Sequence, residues 1–284
     1  MFEHHTLLIG VLLLCFSSVV LGWSEAHVEI TRCAYERLPE EHQVKWHRAE
    51  SDPIWKVTRP ISEGLIQVFC YYPDTYDCGP DNPTHNPAVR PYLFFQGKST
   101  YHYFTLPTEQ ENREFYLQGA LWYFDQMHDA ILEGRMLDAA QYAGALAHAT
   151  EDRASPYHCM DGYESLRAKY EEQYGVNFRF WVPFDKSVKV SLEDHVPVSL
   201  GATPEAAALT FAQRLEELNQ ACRDLLPAFI EAHLKDDWQN QVAGKETDAV
   251  MNQMATASAK LVADMLYTVF EFKPDEAATQ AGRP

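Results

Sequence analysis

Basic residues are scarce in this 284-residue chain: 23 Lys and Arg stand against 41 Asp and Glu, for a formal net charge of −18. Most of such a surface repels a phosphate backbone. Long polymeric nucleic acid is therefore an unnatural partner unless bound cations reverse the sign locally. Cysteine is sparse as well. The six cysteines include no CxxC pair, which argues against a thiolate zinc site. There is no Gly-rich phosphate loop and no internal repeat, so neither a P-loop nucleotide site nor a solenoid is indicated. Disorder is not indicated either, because 46% hydrophobic and 23% charged residues are ordinary globular values.

The N-terminus also lacks Lys and Arg, yet residues 6–21 (TLLIGVLLLCFSSVVL) form an uncharged apolar run that ends at Gly22. The run is short for a spanning helix and reads as an export signal over residues 1–22, with an uncleaved anchor as the competing reading. A secreted or periplasmic protein beginning at Trp23 is expected. Five cysteines would remain, namely Cys33, Cys70, Cys78, Cys159 and Cys222. In an oxidising compartment one or two disulfides are then expected, and Cys70 and Cys78, which bracket a turn, are the easiest pair to close.

Beyond the signal the periodicity is mostly helical, and one all-α domain is expected over residues 23–273, followed by a disordered tail at 274–284. Residues 25–38 place Val28, Thr31, Tyr35 and Leu38 on one stripe. A short helix is expected at 61–70 and a long ordered loop, rich in Pro, Asp, Asn and Tyr, at 71–107. Thr108 and Glu111 are spaced as a capping box for a helix to about 133, stopped by Gly134. The Ala-rich segment 137–153 suits a central, buried helix, because small side chains let neighbours approach closely. Further helices are expected at 162–174, 203–236 with Pro at its first position, and 245–272. Aromatic and β-branched alternation over 176–200 suggests a short hairpin or an irregular flap.

The segment HATEDRASPYH carries the strongest chemical signal. His148 and Asp152, four apart on a helix, project from one face. His158 follows just past Pro156. Two imidazoles and a carboxylate within eleven residues are a ligand set that zinc accepts. A core His paired with Asp is the ordinary fate of a lone HxxxD. His158 and the Ala-rich helix weigh against it, because a buried ionic pair without a metal is costly. Trp23 and His27 form a second feature: cleavage before Trp23 would free an α-amine able to chelate a cation with its own carbonyl, and His27 would add a third ligand. Asp74 in CYYPDTYD and His102 in STYHYF are candidates whose bland readings are a turn Asp and a half-buried His.

Taken in order, Trp23, His27, Asp74, His102, His148, Asp152 and His158 resemble the ligand pattern of the zinc-dependent phospholipase C family. That family includes bacterial α-toxins and shares its fold with the P1/S1 nucleases. The HxxxDxxxxxH spacing with Pro before the last His is the specific part, and the resemblance covers residues 23–175. The segment EAHVEITRCAYERL is also similar to the opening of glycosylphosphatidylinositol-specific phospholipase D enzymes. The resemblance implies a multi-helix single domain of the phospholipase C/P1 nuclease type that hydrolyses phosphodiesters with up to three Zn2+ ions. The first ion would take Asp74, His102, His148 and Asp152. The third would take the Trp23 amine and carbonyl, His27 and Asp152. The second would take His158 and Glu171. Asp74 is implied as the residue that orients or deprotonates the attacking water.

The match departs in one place. Arg167 stands where the family's HxxxE helix has its His, and an Arg cannot ligate zinc. The second ion would then recruit Glu164 or His195, or be absent, and Arg167 would grip the substrate phosphate directly. A phospholipid or other phosphodiester is the expected substrate. Peripheral membrane contact, a monomeric state and no nucleic-acid partner complete the expectation. The Gly-Gly-Asn stretch of the nucleases is missing. A P1-like single-strand nuclease and a non-catalytic helical protein that has lost one zinc site are the competing functions.

Overall fold

A computed structural model describes residues 24–47, 70, 109–160, 166–175, 188–236 and 243–272. Among these, 80% are helical and none lies in a strand, so the described part of the chain is all-α, as its periodicity indicates. The expectations for the signal, the 61–69 helix, the 71–107 loop, the Thr108 cap, the 237–242 stretch and the tail fall outside the described residues.

The helices are α1 (Ser24–Glu36), α2 (Glu40–His47), α3 (Glu109–Leu132), α4 (Met136–Ala154), α5 (Pro156–Met160), α6 (Leu166–Tyr174), α7 (Pro204–His233) and α8 (Lys245–Thr268). At the centre is α4. Every residue from Ala139 to Asp152 is buried, which an amphipathic surface helix never shows. Alanine explains both properties. It is the best helix former, and it lets backbones pack closely from all sides. Helices α1, α3, α5, α7 and α8 all touch α4. Around it Ile30, Phe124, Leu146, Phe211 and Phe229 are fully buried. Burial of such side chains stabilises by roughly 2 kcal/mol each.

Local signals set the boundaries. Gly134 takes φ of 73°, a left-handed conformation that ends α3 and that other residues rarely adopt. Thr203 caps α7, its Oγ1 accepting from the Ala206 N–H at 3.2 Å, with Pro204 in the first turn. Such a cap contributes about 1 kcal/mol. Pro156 forces Ser155 into an extended conformation (φ −74°, ψ 124°) and closes α4 at Ala154. After this break Pro156 opens α5, and His158 sits on that new helix.

Two points differ from expectation. The buried face of α1 is Ala26, His27, Ile30, Thr31 and Ala34, with Leu38 buried just beyond its end, whereas Val28 and Tyr35 are only half-buried. Helix α2, polar apart from Val44 and Trp46, is an addition. It is held by Trp46, whose Nε1 donates to the Leu266 carbonyl at 3.2 Å, and by His42 stacked on Tyr267. Residues 176–187 of the expected hairpin or irregular flap lie outside the described residues, and residues 188–200 are irregular, with no strand. The latter lie as an extended strap along α8, whose side chains take the strap's N–H groups. Lys189 N donates to Asn252, Ser191 N to Thr256, Val198 N to Asp264 and Leu200 N to Thr268.

Candidate metal centre

Helix α4 carries His148 and Asp152 one turn apart, as the HxxxD spacing requires, and both are fully buried. Helix α1 docks beside them and inserts His27, also fully buried; the turn at Pro156 swings His158 back from α5. Three imidazoles from three helices thus reach one carboxylate. The Nε2 atoms of His27 and His158 lie 3.3 and 3.1 Å from Asp152 Oδ1, and that of His148 lies 3.2 Å from Oδ2. The His27 and His148 rings stand with centroids 4.0 Å apart.

These separations are long and poorly aligned for charge-assisted hydrogen bonds, which run about 2.7–2.9 Å. Both Asp152 oxygens are buried and accept no well-formed hydrogen bond. Two ligands of one tetrahedral zinc, each about 2.0–2.1 Å from it, stand about 3.3 Å apart. The cluster therefore has ligand-to-ligand spacing. Atoms of His27, His148 and Asp152 that could ligate all fall within 4.8 Å of one another, the one such set among the described residues.

The far sides of the His148 and His27 rings are hydrogen-bonded. His148 Nδ1 meets the Cys70 carbonyl at 2.7 Å. A carbonyl only accepts, so Nδ1 carries a hydrogen and Nε2 is the atom turned toward Asp152. His27 Nδ1 donates to Glu151 Oε2 at 2.6 Å, and the Thr31 hydroxyl donates to Glu151 Oε1 at 2.6 Å. Lone pairs facing a carboxylate repel unless a proton or a cation lies between them. The outer hydrogen bonds match the carboxylate–His–metal arrangement that orients ligating imidazoles.

The electrostatics agree. Burial works to lower the His27 pKa, but the Asp152 and Glu151 carboxylates overcome it and leave His27 well above the ordinary imidazole value. Burial works to raise Asp152, but His158 and His148 hold it well below the usual carboxylate range. Glu151 is raised by burial, against His27 and Thr31. Two adjacent buried carboxylates make a pocket that demands positive charge, which a divalent cation supplies without protons.

Of the residues named from sequence, His27, His148, Asp152 and His158 converge. Trp23, Asp74, His102, Glu164 and Cys78 lie outside the described residues. Arg167 and Glu171 share a face of α6, four apart and half-buried, and are not part of the ion-sized set. His195 is committed elsewhere: its Nε2 meets Asp264 Oδ1 at 3.0 Å, so it does not substitute for the missing His. Asp264 also accepts from Arg214 Nη1 at 2.6 Å, and Arg37 donates to the backbone carbonyls of Glu193 and His195. Glu151 and Thr31 are the residues that sequence reasoning missed. A second carboxylate inside a helix buried all round was the available signal for Glu151.

The fold and the cluster define an all-α protein with one buried His/Asp group able to hold a metal ion. No protein-family model matches the chain, and no curated protein matches it.

Proposed function

We propose that the chain is an exported zinc-dependent phosphodiesterase of the phospholipase C type, built on the phospholipase C/P1 nuclease fold. The observation that carries this reading is the convergence of His27, His148 and His158 on the buried Asp152 carboxylate. The donor set, three imidazoles and a carboxylate with two of the rings oriented from outside, suits Zn2+ better than a hard oxygen-seeking cation. Asp152 presents one oxygen to His148 and the other to His27 and His158, which is how a carboxylate shared between neighbouring ions divides its oxygens. His148 and Asp152 would hold one ion, with Asp74 and His102. His27 and Asp152 would hold a second, with the Trp23 amine and carbonyl. His158 and Glu171 would hold any further ion.

Ions bound there would act as Lewis acids toward a phosphodiester oxygen and lower the pKa of a bound water. Asp74 would orient that water and take its proton. Glu151 and the Cys70 carbonyl hold His27 and His148 by Nδ1, so that Nε2 of each faces Asp152. Arg167, with a permanent charge and a planar fork, would bind the substrate phosphate. The net charge of −18 favours a phospholipid met at a surface over a nucleic-acid polymer. A monomer in peripheral contact with the membrane is the form proposed.

Metal analysis of the full-length secreted protein, combined with parallel assays on a lecithin emulsion and on single-stranded DNA, tests the reading. Two or more zinc ions per chain with chelator-sensitive lecithin cleavage are expected. Cleavage of DNA alone would mark a P1-like nuclease. Zinc bound with neither substrate cleaved would mark a non-catalytic scaffold. Diester cleavage by protein free of zinc would end the proposal.

A further inference from the structure

The end of α4 holds two sulfur atoms that the metal centre does not use. Cys159, on α5 and next to His158, places its thiol 3.4 Å from the Arg153 carbonyl; Cys222, on α7, donates to the Ala154 carbonyl at 3.2 Å. These are successive carbonyls in the last turn of α4, so both thiols occupy one small volume. Both are free thiols in this structure. Asn219, one turn before Cys222, brings Nδ2 to 3.1 Å from the Cys159 sulfur and 2.9 Å from the Arg153 carbonyl. Cys159 and Cys222 are 3% and 0% exposed.

We propose that Cys159 and Cys222 form a disulfide that ties the helix carrying His158 to α7. Two buried thiols gathered at successive carbonyls of one helix end need only the loss of their protons and two electrons to become covalently joined. The hydrogen bonds that the thiols give up are partly replaced, because Asn219 Nδ2 continues to donate to the Arg153 carbonyl. The oxidant is a low-molecular-weight disulfide, as an export compartment supplies. One cysteine thiolate attacks a sulfur of that reagent and releases one thiolate, leaving a mixed disulfide. The second cysteine thiolate then attacks the protein sulfur and releases the other. One S–S bond is broken and one formed, the reagent is reduced to two thiols, and those thiols carry away the two cysteine protons. The sulfurs are closed to solvent in the folded protein, so the exchange takes place while α5 docks on α7.

The consequence falls on the metal centre. His158 is adjacent to the cross-link, and Asp152 lies two residues before the Ala154 carbonyl that Cys222 reaches. A covalent tie from α5 to α7 limits how far the His158 ring can move from Asp152.

The test uses the full chain, refolded in an oxidised and reduced glutathione mixture, then denatured with iodoacetamide without reductant, digested and mapped by mass spectrometry. The expected result is a cross-linked peptide pair containing positions 159 and 222, with neither sulfur alkylated, which disappears when dithiothreitol is added first. Cys222→Ser should abolish the cross-link. Reduction of the wild type should lower Tm by about 10 °C, the scale expected for opening a loop of this length in a chain of this size. Alkylation of both Cys159 and Cys222 in the refolded wild type would overturn the proposal, as would Cys159 linked to any other cysteine. The mapping needs no variant, so a Cys222→Ser protein that fails to fold leaves the test intact. The cross-link can be present whether or not the chain cleaves phosphodiesters, so its failure and that of the proposed activity are distinguishable.

Discussion

Replacing Glu151 should weaken metal binding without touching a metal ligand. Glu151 accepts from His27 Nδ1 and from the Thr31 hydroxyl, each at 2.6 Å, and is fully buried. Removing an outer partner of a ligating histidine typically costs tenfold to a hundredfold in affinity, about 1.4–2.7 kcal/mol. Glu151→Gln separates the effects. Its amide oxygen still accepts from His27, and the Thr31 hydroxyl can rotate to accept from the new NH2 group. Volume and hydrogen bonding survive, while the negative charge that makes His27 a stronger donor is gone. His27 would then resemble His148, whose outer partner is a neutral carbonyl. A loss of about tenfold is expected for Gln. Glu151→Ala also leaves two buried donors without an acceptor, at about 1–3 kcal/mol each. It should lose about a hundredfold in affinity and several degrees of Tm. Competition against a chromophoric chelator at neutral pH measures the affinities, and thermal melts of the metal-free proteins measure the stabilities. If Glu151→Gln keeps the wild-type zinc affinity within twofold, the carboxylate is only a satisfied core group and the argument from outer hydrogen bonds fails.

Asp152→Asn should reduce bound zinc to less than one ion per chain by elemental analysis, because a carboxylate shared between ions serves more than one of them; retention of the full complement would show that no ion depends on it. Asp264→Ala should destabilise by about 3 kcal/mol in urea unfolding. It removes a fully buried acceptor from Arg214, His195 and the Val198 N–H, and the lower end of the range for broken buried pairs applies because Arg214 is 36% exposed. A change under 1 kcal/mol would mean that the strap is held without it. Burial, reinforced by the Glu29 carboxylate, pushes the Cys33 thiol up to about 11 from an ordinary 9.0. Only the thiolate reacts, so alkylation of Cys33 at pH 8 should be about a hundredfold slower than for an unperturbed thiol and should accelerate steadily up to about pH 11. A rate that levels off near pH 9 would contradict this.

The parts of this molecule legible in the sequence are those governed by local periodicity. HxxxD puts His148 and Asp152 on one face of any helix, and a run of alanines announces a helix that neighbours can crowd. Gly134 and the Thr203-Pro204 pair mark helix ends for reasons contained in a few residues. What depends on docking was not legible in the same way. On a helix, Glu151 points about 100° away from Asp152, so the two acids do not share a face by spacing. They serve the same imidazole only because α1 is wedged against α4, presenting His27 Nδ1 to one and Nε2 to the other. The strap shows the same limit. Alternation at Val188, Val190 and Leu192 signals an extended chain, but nothing in it says that a helix, and not a strand, takes up its N–H groups.

The departure at Arg167 and the position of Glu151 bear on one question, namely where the charge of the site resides. At 167 a neutral ligand of the resembled family is replaced by a permanent cation, on a helix that stays outside the ion-sized set. At 151 an anion is added in a fully buried position that touches His27 from behind. A buried carboxylate without compensating charge costs several kcal/mol, and in this pocket there are two, side by side. Histidine protonation alone leaves such a pocket compensated only while the rings stay charged. A resident divalent cation compensates it across the neutral range. The Ala-rich helix therefore places the greatest demand for cations where His27, His148 and Asp152 meet.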